Sequence, residues 1–253
     1  MHTEFIDYSD GDTTLEGYLA YDPSKSGPRP VVIVSHAWGG QDDDIRRYTE
    51  QIAELGYLGF ALDMYGKGQR GTSPEQNAKL MDPFVKDRTL LRNRIAAAVH
   101  TVKNYDKADR HRIAAIGFCF GGMCVLDLAR AGIDGVVGVV SFHGLLGPTS
   151  AKPGPRPMKT RVLACHGYND PLAMPDSVDA FAREMTDAGA DWTMMMFGHR
   201  GHAFMHPPAN DIKGGMRYCA RAEGRSLAAM KHFLHECFAD TQVEMGVVDK
   251  PWK

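Results

Sequence analysis

The stretch Ile113-Ala114-Ala115-Ile116-Gly117-Phe118-Cys119-Phe120-Gly121-Gly122 constrains the fold more than any other part of the chain. Its first four residues read as a buried strand, and the residues from Gly121 onward have helical spacing, which leaves Cys119 on the turn between them. A strand that reverses into a helix within about two residues brings backbone against backbone, so the positions two before and two after the turn must be small. Gly117 and Gly121 meet that need. The pattern is G-x-C-x-G, a nucleophile elbow with sulfur in place of the usual serine oxygen. Two other readings compete with it: an inert core cysteine, and a phosphate-binding turn. The glycines lack G-x-G-x-x-G spacing and no Lys-Ser/Thr pair follows, which disfavours phosphate. The nucleophile reading then depends on a base and an acid following in the right order.

The rest of the chain supplies the setting. Thr3–Tyr8 and Thr14–Tyr21 are β-rich runs around Ser9-Asp10-Gly11-Asp12, a hairpin at a sheet edge. Val31–Ser35 is continuously apolar and β-branched, as a strand covered on both faces must be, and leads into the loop His36-Ala37-Trp38-Gly39-Gly40. Asp42–Asp44 before Ile45–Leu55 reads as an N-cap and first turn rather than a cation site. Tyr57–Asp63, Val136–Phe142, Arg161–His166 and Trp192–Phe197 are further strands. Helical spacing marks Val178–Ala188, a last helix through Leu227, Met230, Leu234 and Phe238, and one long helix over Pro83–Asn104. Strands alternating with helices predict an α/β fold, a mostly parallel doubly wound sheet with helices on both faces. The proline-bearing stretch from Ser141 to Thr160 has no helical periodicity, so no substantial lid domain is expected. The chain 1–253 reads as a single domain, with 1–30 its hairpin and connector and 239–253 a tail without pattern.

Composition narrows the classes. With 253 residues and 43% hydrophobic content one large core is affordable, and a formal net charge of -2 gives no pull toward nucleic acid or an anionic membrane. No apolar run reaches a membrane span, and the N-terminus lacks the basic and apolar regions of a signal peptide. Five cysteines, odd in number and without a C-x-x-C pair, disfavour a disulfide framework or zinc knuckle. A reducing, cytoplasmic setting is the expectation, with the protein a monomer or homodimer.

In such sheets the loops beyond the carboxyl ends of the strands line the site. After the strand ending at Cys165 comes His166-Gly167-Tyr168-Asn169-Asp170-Pro171; after Phe197 comes Gly198-His199-Arg200-Gly201-His202-Ala203-Phe204. The order Cys, Asp, His is that of the α/β-hydrolase triad, not of chymotrypsin or subtilisin. Asp170 as a plain turn cap, and His199 or His202 as a surface histidine, are the blander readings. His199, His202 and His206 also space like zinc ligands, but they lie in a loop without a supporting carboxylate motif, so no metal and no organic cofactor is expected.

Taken together, G-F-C-F-G-G, H-G-x-x-D-P and G-H-x-x-H-x-F resemble the dienelactone hydrolase family of α/β-hydrolases, over nearly the whole length from Val31 to Phe238. The resemblance implies Cys119 as nucleophile, Asp170 as acid and His202, rather than His199, as base. It further implies an oxyanion hole from the backbone N–H of Phe120 and of Ala37 or Trp38. His36, Trp38, Phe118, His143, Arg88 and His206 are candidate substrate contacts. The chain departs from the archetype twice. A glutamate in the loop after the first buried strand is replaced by His36 or Ala37, which implies a Cys119 more persistently ionised and more quickly alkylated. An arginine four residues past the catalytic histidine is replaced by His206, leaving Arg88 or Arg200 to meet a substrate carboxylate.

The expected activity is hydrolysis of small carboxylic esters or lactones through a thioester acyl-enzyme. A thioesterase or general carboxylesterase with the same residues is the nearest alternative. A non-catalytic binding protein with Cys119 as redox sensor is the remoter one, since a binder has no use for all three residues.

Overall fold

The computed structural model describes residues 1–239, so all but the first residue of the patternless tail lies outside the described residues. The main sheet has eight strands in the order β1-β2-β4-β3-β5-β6-β7-β8. They are β1 (His2–Asp10), β2 (Thr13–Tyr21), β3 (Arg29–Ser35), β4 (Leu58–Ala61), β5 (Ala108–Phe118), β6 (Val136–Phe142), β7 (Arg161–Gly167) and β8 (Trp192–Phe197). The first two form the antiparallel edge hairpin, β2 pairs antiparallel with β4, and every pairing from β4 to β8 is parallel.

Residue parity builds the two cores. Val31 and Ile33 of β3 and Ile113 and Ala115 of β5 enter one apolar cluster, while Val32, Val34, Ala114 and Ile116 enter the other. Both faces of these strands are therefore buried, which is why they read as unbroken apolar runs. Helices α1 (Asp43–Glu54) and α6 (Ala220–Phe238) cover one face through Ile45, Ile52, Met230 and Leu234. Helices α3 (Arg88–Lys103), α4 (Phe120–Ala131) and α5 (Pro175–Asp187) cover the other. Each fully buried Leu or Ile contributes roughly 1.5–3 kcal/mol.

The single helix expected over Pro83–Asn104 is two. Helix α2 (Pro74–Lys86) starts earlier, behind Ser73 as N-cap, and α3 begins afresh at Arg88. Asp87 separates them with extended backbone, and its Oδ1 accepts the N–H groups of Thr89 and Leu90 at 2.9 and 3.0 Å. The local cap wins because it satisfies two otherwise orphaned donors of α3. Asp42 caps α1 in the same way, accepting from Ile45 N–H at 2.9 Å. A two-stranded ribbon, β9 (Asn210–Asp211) with β10 (Met216–Arg217), was not visible as a strand pattern. Residues 143–160 contain neither helix nor strand. No helix among the described residues is long and apolar enough to cross a membrane.

Candidate active site

Cys119 sits between β5 and α4 at φ 55°, ψ -114°, a conformation that side chains other than glycine rarely adopt. Such a residue costs about 1–3 kcal/mol and persists only where its surroundings enforce it. Here they do. A Cβ on Gly117 would overlap the Gly121 carbonyl, and one on Gly121 would overlap the carbonyls of Ser35 and His36. The elbow is thus wedged against both its own helix and the end of β3. The Cys119 N–H is spent on the Phe142 carbonyl at 3.0 Å, whereas Phe120, first in α4, has no intrahelical acceptor for its N–H. The N–H groups of Ala37 and Trp38 likewise have no protein acceptor among the described residues.

Asp170 and His202 meet although 32 residues separate them: His202 Nδ1 donates to Asp170 Oδ2 at 2.8 Å, with both side chains buried. The second carboxylate oxygen accepts the Leu172 N–H at 2.9 Å, which fixes the carboxylate plane. On the far side of the ring, His202 Nε2 is buried and makes no close hydrogen bond. The Cys119 side chain is close enough for its charge to act on the ring. Burial disfavours the imidazolium, but the hydrogen bond to Asp170 and the negative charges of Cys119 and Asp170 outweigh it and raise the His202 pKa from 6.5 to about 10.

The main chain around His202 is held by the ribbon that sequence reading missed. His202 N–H donates to the Gly215 carbonyl at 2.8 Å, and Arg217 N–H donates to the His202 carbonyl at 3.1 Å. The available signal was Lys213-Gly214-Gly215, a turn between two short polar runs. Gly215 has φ 71°, and Gly201 is so close to it that a Cβ there would overlap the Gly215 carbonyl. Among the described residues the non-glycine positions with positive φ are Cys119, His143, His199 and Ala203. All four lie in loops at the carboxyl ends of the strands, where strain is expected to serve a site.

The other candidates divide. His143 is in the site: it is buried, its ring centroid lies 4.9 Å from that of His202, and neither ring nitrogen has a partner. Burial and the neighbouring His202 charge push its pKa well below the ordinary histidine value. Trp38 is half-buried on the loop after β3. His206 is exposed, in a turn in which its N–H donates to the Ala203 carbonyl at 3.0 Å.

Three expectations are corrected. Phe118 points to the opposite face of the sheet, stacked between Tyr48 at 4.6 Å and Phe142 at 5.0 Å, because strand parity sends it to the α1–α6 core. Arg88 is buried against Asp127, its Nε donating to Oδ2 at 2.7 Å, in a network that continues to Arg130 and Glu184. His36 is fully buried and both ring nitrogens are taken by backbone groups, so it has none to offer a substrate. His199, His202 and His206 do not converge, with other side chains among the described residues, into a group able to hold a metal ion.

Comparison with known proteins agrees with this architecture. A crystal structure described as "Dienelactone Hydrolase-like Promiscuous Phospotriesterase P91 from Metagenomic Libraries" superposes with a TM-score of 0.87 at 34% identity, covering 93% of this chain and 98% of that one. A relative from Aquifex aeolicus (strain VF5), with the name "Putative carboxymethylenebutenolidase", is 26% identical over 220 residues, 85% of this chain and 93% of its own. The Caenorhabditis elegans protein K02A2.1 is 37% identical over 150 residues, 59% of this chain and 95% of its own. The model of the dienelactone hydrolase family matches residues 15–238, and the chain belongs to that family.

Proposed function

We propose that the protein hydrolyses small carboxylic esters or lactones with Cys119 as nucleophile, His202 as the proton carrier and Asp170 as the group that orients it. The observation that carries this reading is the 2.8 Å Asp170–His202 hydrogen bond, which leaves Nε2 without a hydrogen bond in the neighbourhood of a cysteine held at a strained elbow. The sulfur, as thiolate beside the imidazolium, attacks the substrate carbonyl carbon. The negative oxygen that forms is received by the N–H of Phe120 and of Ala37 or Trp38. One such donor is typically worth roughly 3 kcal/mol of barrier. His202 then gives its proton to the departing alkoxide, and the C–O bond breaks to leave a thioester. In the second half His202 takes a proton from water, the hydroxide adds to the thioester, and the carboxylic acid leaves as the thiolate is restored.

The absence of helix in residues 143–160 supports small, accessible substrates, since nothing there builds a deep acyl tunnel. With Arg88 engaged by Asp127, recognition of a substrate carboxylate falls to Arg200, half-buried on the loop after β8, and neutral as well as carboxylated esters and lactones belong in the substrate class. The test is p-nitrophenyl acetate hydrolysis by wild type and Cys119→Ala. Turnover should vanish in the variant, and equal rates would discard the scheme. A panel of lactones with and without a free carboxylate then ranks the substrates.

The metagenomic relative described as a promiscuous phosphotriesterase supports a second reading, in which the same sulfur attacks phosphorus. Paraoxon belongs in the same assay, and its hydrolysis should disappear together with ester turnover in Cys119→Ala.

A further inference from the structure

The loop between β3 and α1 is held by contacts that the hydrolytic scheme leaves unexplained. His36 lies fully buried behind it. Its Nδ1 is 2.7 Å from the Ala37 carbonyl oxygen, and its Nε2 accepts the Met64 N–H at 3.1 Å. Only one tautomer satisfies both, with the proton on Nδ1 and the lone pair on Nε2. The ring is wedged between Tyr65 and Phe120, with centroids 4.8 and 6.2 Å away. Tyr65 in turn donates its hydroxyl to the Trp38 carbonyl at 2.9 Å, and the Gly71 N–H donates to the Gly39 carbonyl at 3.0 Å. The carbonyls of residues 37, 38 and 39 are therefore each tied back, to His36 or to the loop that follows β4. A peptide unit is planar and trans, so fixing the Ala37 carbonyl points the Trp38 N–H the opposite way.

We infer that His36 is a positioning residue for the oxyanion hole: by gripping the Ala37 carbonyl and the Met64 amide at once, it sets the turn that presents the Ala37 and Trp38 N–H groups. The inference rests on the cysteine-hydrolase reading above. It also gives a physical reason for a buried imidazole here. An imidazolium has no lone pair for Met64, and burial, helped by Arg70, keeps His36 below its ordinary pKa against the opposing pull of the Ala37 hydrogen bond, Asp63 and Asp42.

The experiment separates oxyanion stabilisation from thiol reactivity. Ester hydrolysis needs both, whereas alkylation of Cys119 by iodoacetamide develops no oxyanion. In His36→Leu, kcat for p-nitrophenyl acetate should fall about 10- to 100-fold, at or below the full loss of one oxyanion donor. KM should change less than about threefold, and the alkylation rate should stay at the wild-type value, because only transition-state stabilisation is lost. His36→Gln, whose side-chain oxygen can again accept from Met64, should recover part of the loss. Tyr65→Phe frees only the Trp38 carbonyl and should lower kcat by a smaller factor, again without slowing alkylation; it keeps the inference testable if the leucine variant does not fold. Parallel loss of turnover and alkylation overturns the inference, because His36 then acts on the thiol and imidazole or on the fold at large. Unchanged turnover in both variants overturns it as well. Failure of the underlying reading has a different signature, activity retained by Cys119→Ala.

Discussion

His202 is the residue whose chemistry depends most on its neighbours. Its folded-state pKa is raised from 6.5 to about 10, so its proton stabilises the native state fully below pH 6.5. That contribution declines as the pH rises and is gone above about 10. Asp170→Asn removes one of the groups that holds the proton. The wild-type-minus-variant difference in unfolding free energy, measured by urea titration, should therefore shrink between pH 6.5 and 10. A difference independent of pH would contradict the assignment. The same variant should lose about a thousandfold or more in kcat, because the imidazole is no longer held in the right tautomer. At this scale the sequence brought out Cys119, Asp170 and His202, each in a short motif beyond a strand end, and the fold joins Asp170 to His202. The sequence was uninformative for Phe118, Arg88 and His36. Their side chains are claimed by strand parity, by Asp127 and by backbone groups of Ala37 and Met64, partners distant in sequence or invisible to a motif.

At the scale of elements, His202 is positioned by a loop closed on a two-residue ribbon rather than by a long strand. Its N–H to Gly215 contact exists because Gly201 has no Cβ to displace that carbonyl. Gly201→Ala should push the two backbones apart, lowering stability by about 1–3 kcal/mol, the usual cost of overpacking, and cutting turnover more than tenfold. Gly198→Ala serves as the control, since a Cβ there meets nothing within 4 Å. Denaturant midpoints and kcat for the two variants check the contrast, and equal behaviour would show that the ribbon does not hold the histidine. Most strands of the parallel sheet were legible within a residue or two, since unbroken β-branched runs have few alternatives; β5 starts five residues before the apolar run at Ile113, because its first residues, Ala108–Arg112, are not fully buried. The break between α2 and α3 was not, because the apolar spacing continues across Asp87 while its side chain stops the helix.

Over the whole molecule, the same burial that covers both sheet faces traps neutral histidines. His36, His143 and His166 all have pKa values held below 6.5 chiefly by burial. Their folded-state pKa is lower than the unfolded one, so their stabilising effect is present above about pH 6.5 and is lost as the pH falls. Each adds a slope of up to about 1.4 kcal/mol per pH unit on the acid side. Unfolding free energy should accordingly drop steeply below pH 6.5, with up to three protons taken up on unfolding. His143→Phe, which keeps the ring's packing without its titration, should flatten that fall. A pH profile unchanged by this substitution would count against a buried neutral His143.

What the amino-acid sequence determined by itself was the alternation of strands and helices, the elbow at Cys119 and the chain order of the three side chains proposed to react. These are written in local pattern: apolar periodicity, glycines where backbones must touch, and short motifs at strand ends. What the tertiary structure decided was which side chains are free to act. Asp170 reaches His202 because β7 and β8 are neighbours in the sheet and the loops after them converge. Arg88 is withheld because α3 packs beside α4, and His36 is turned away from substrate because the loop after β4 offers it an amide to hold. A buried polar group must find its partners wherever the fold places them, and that choice is made in three dimensions.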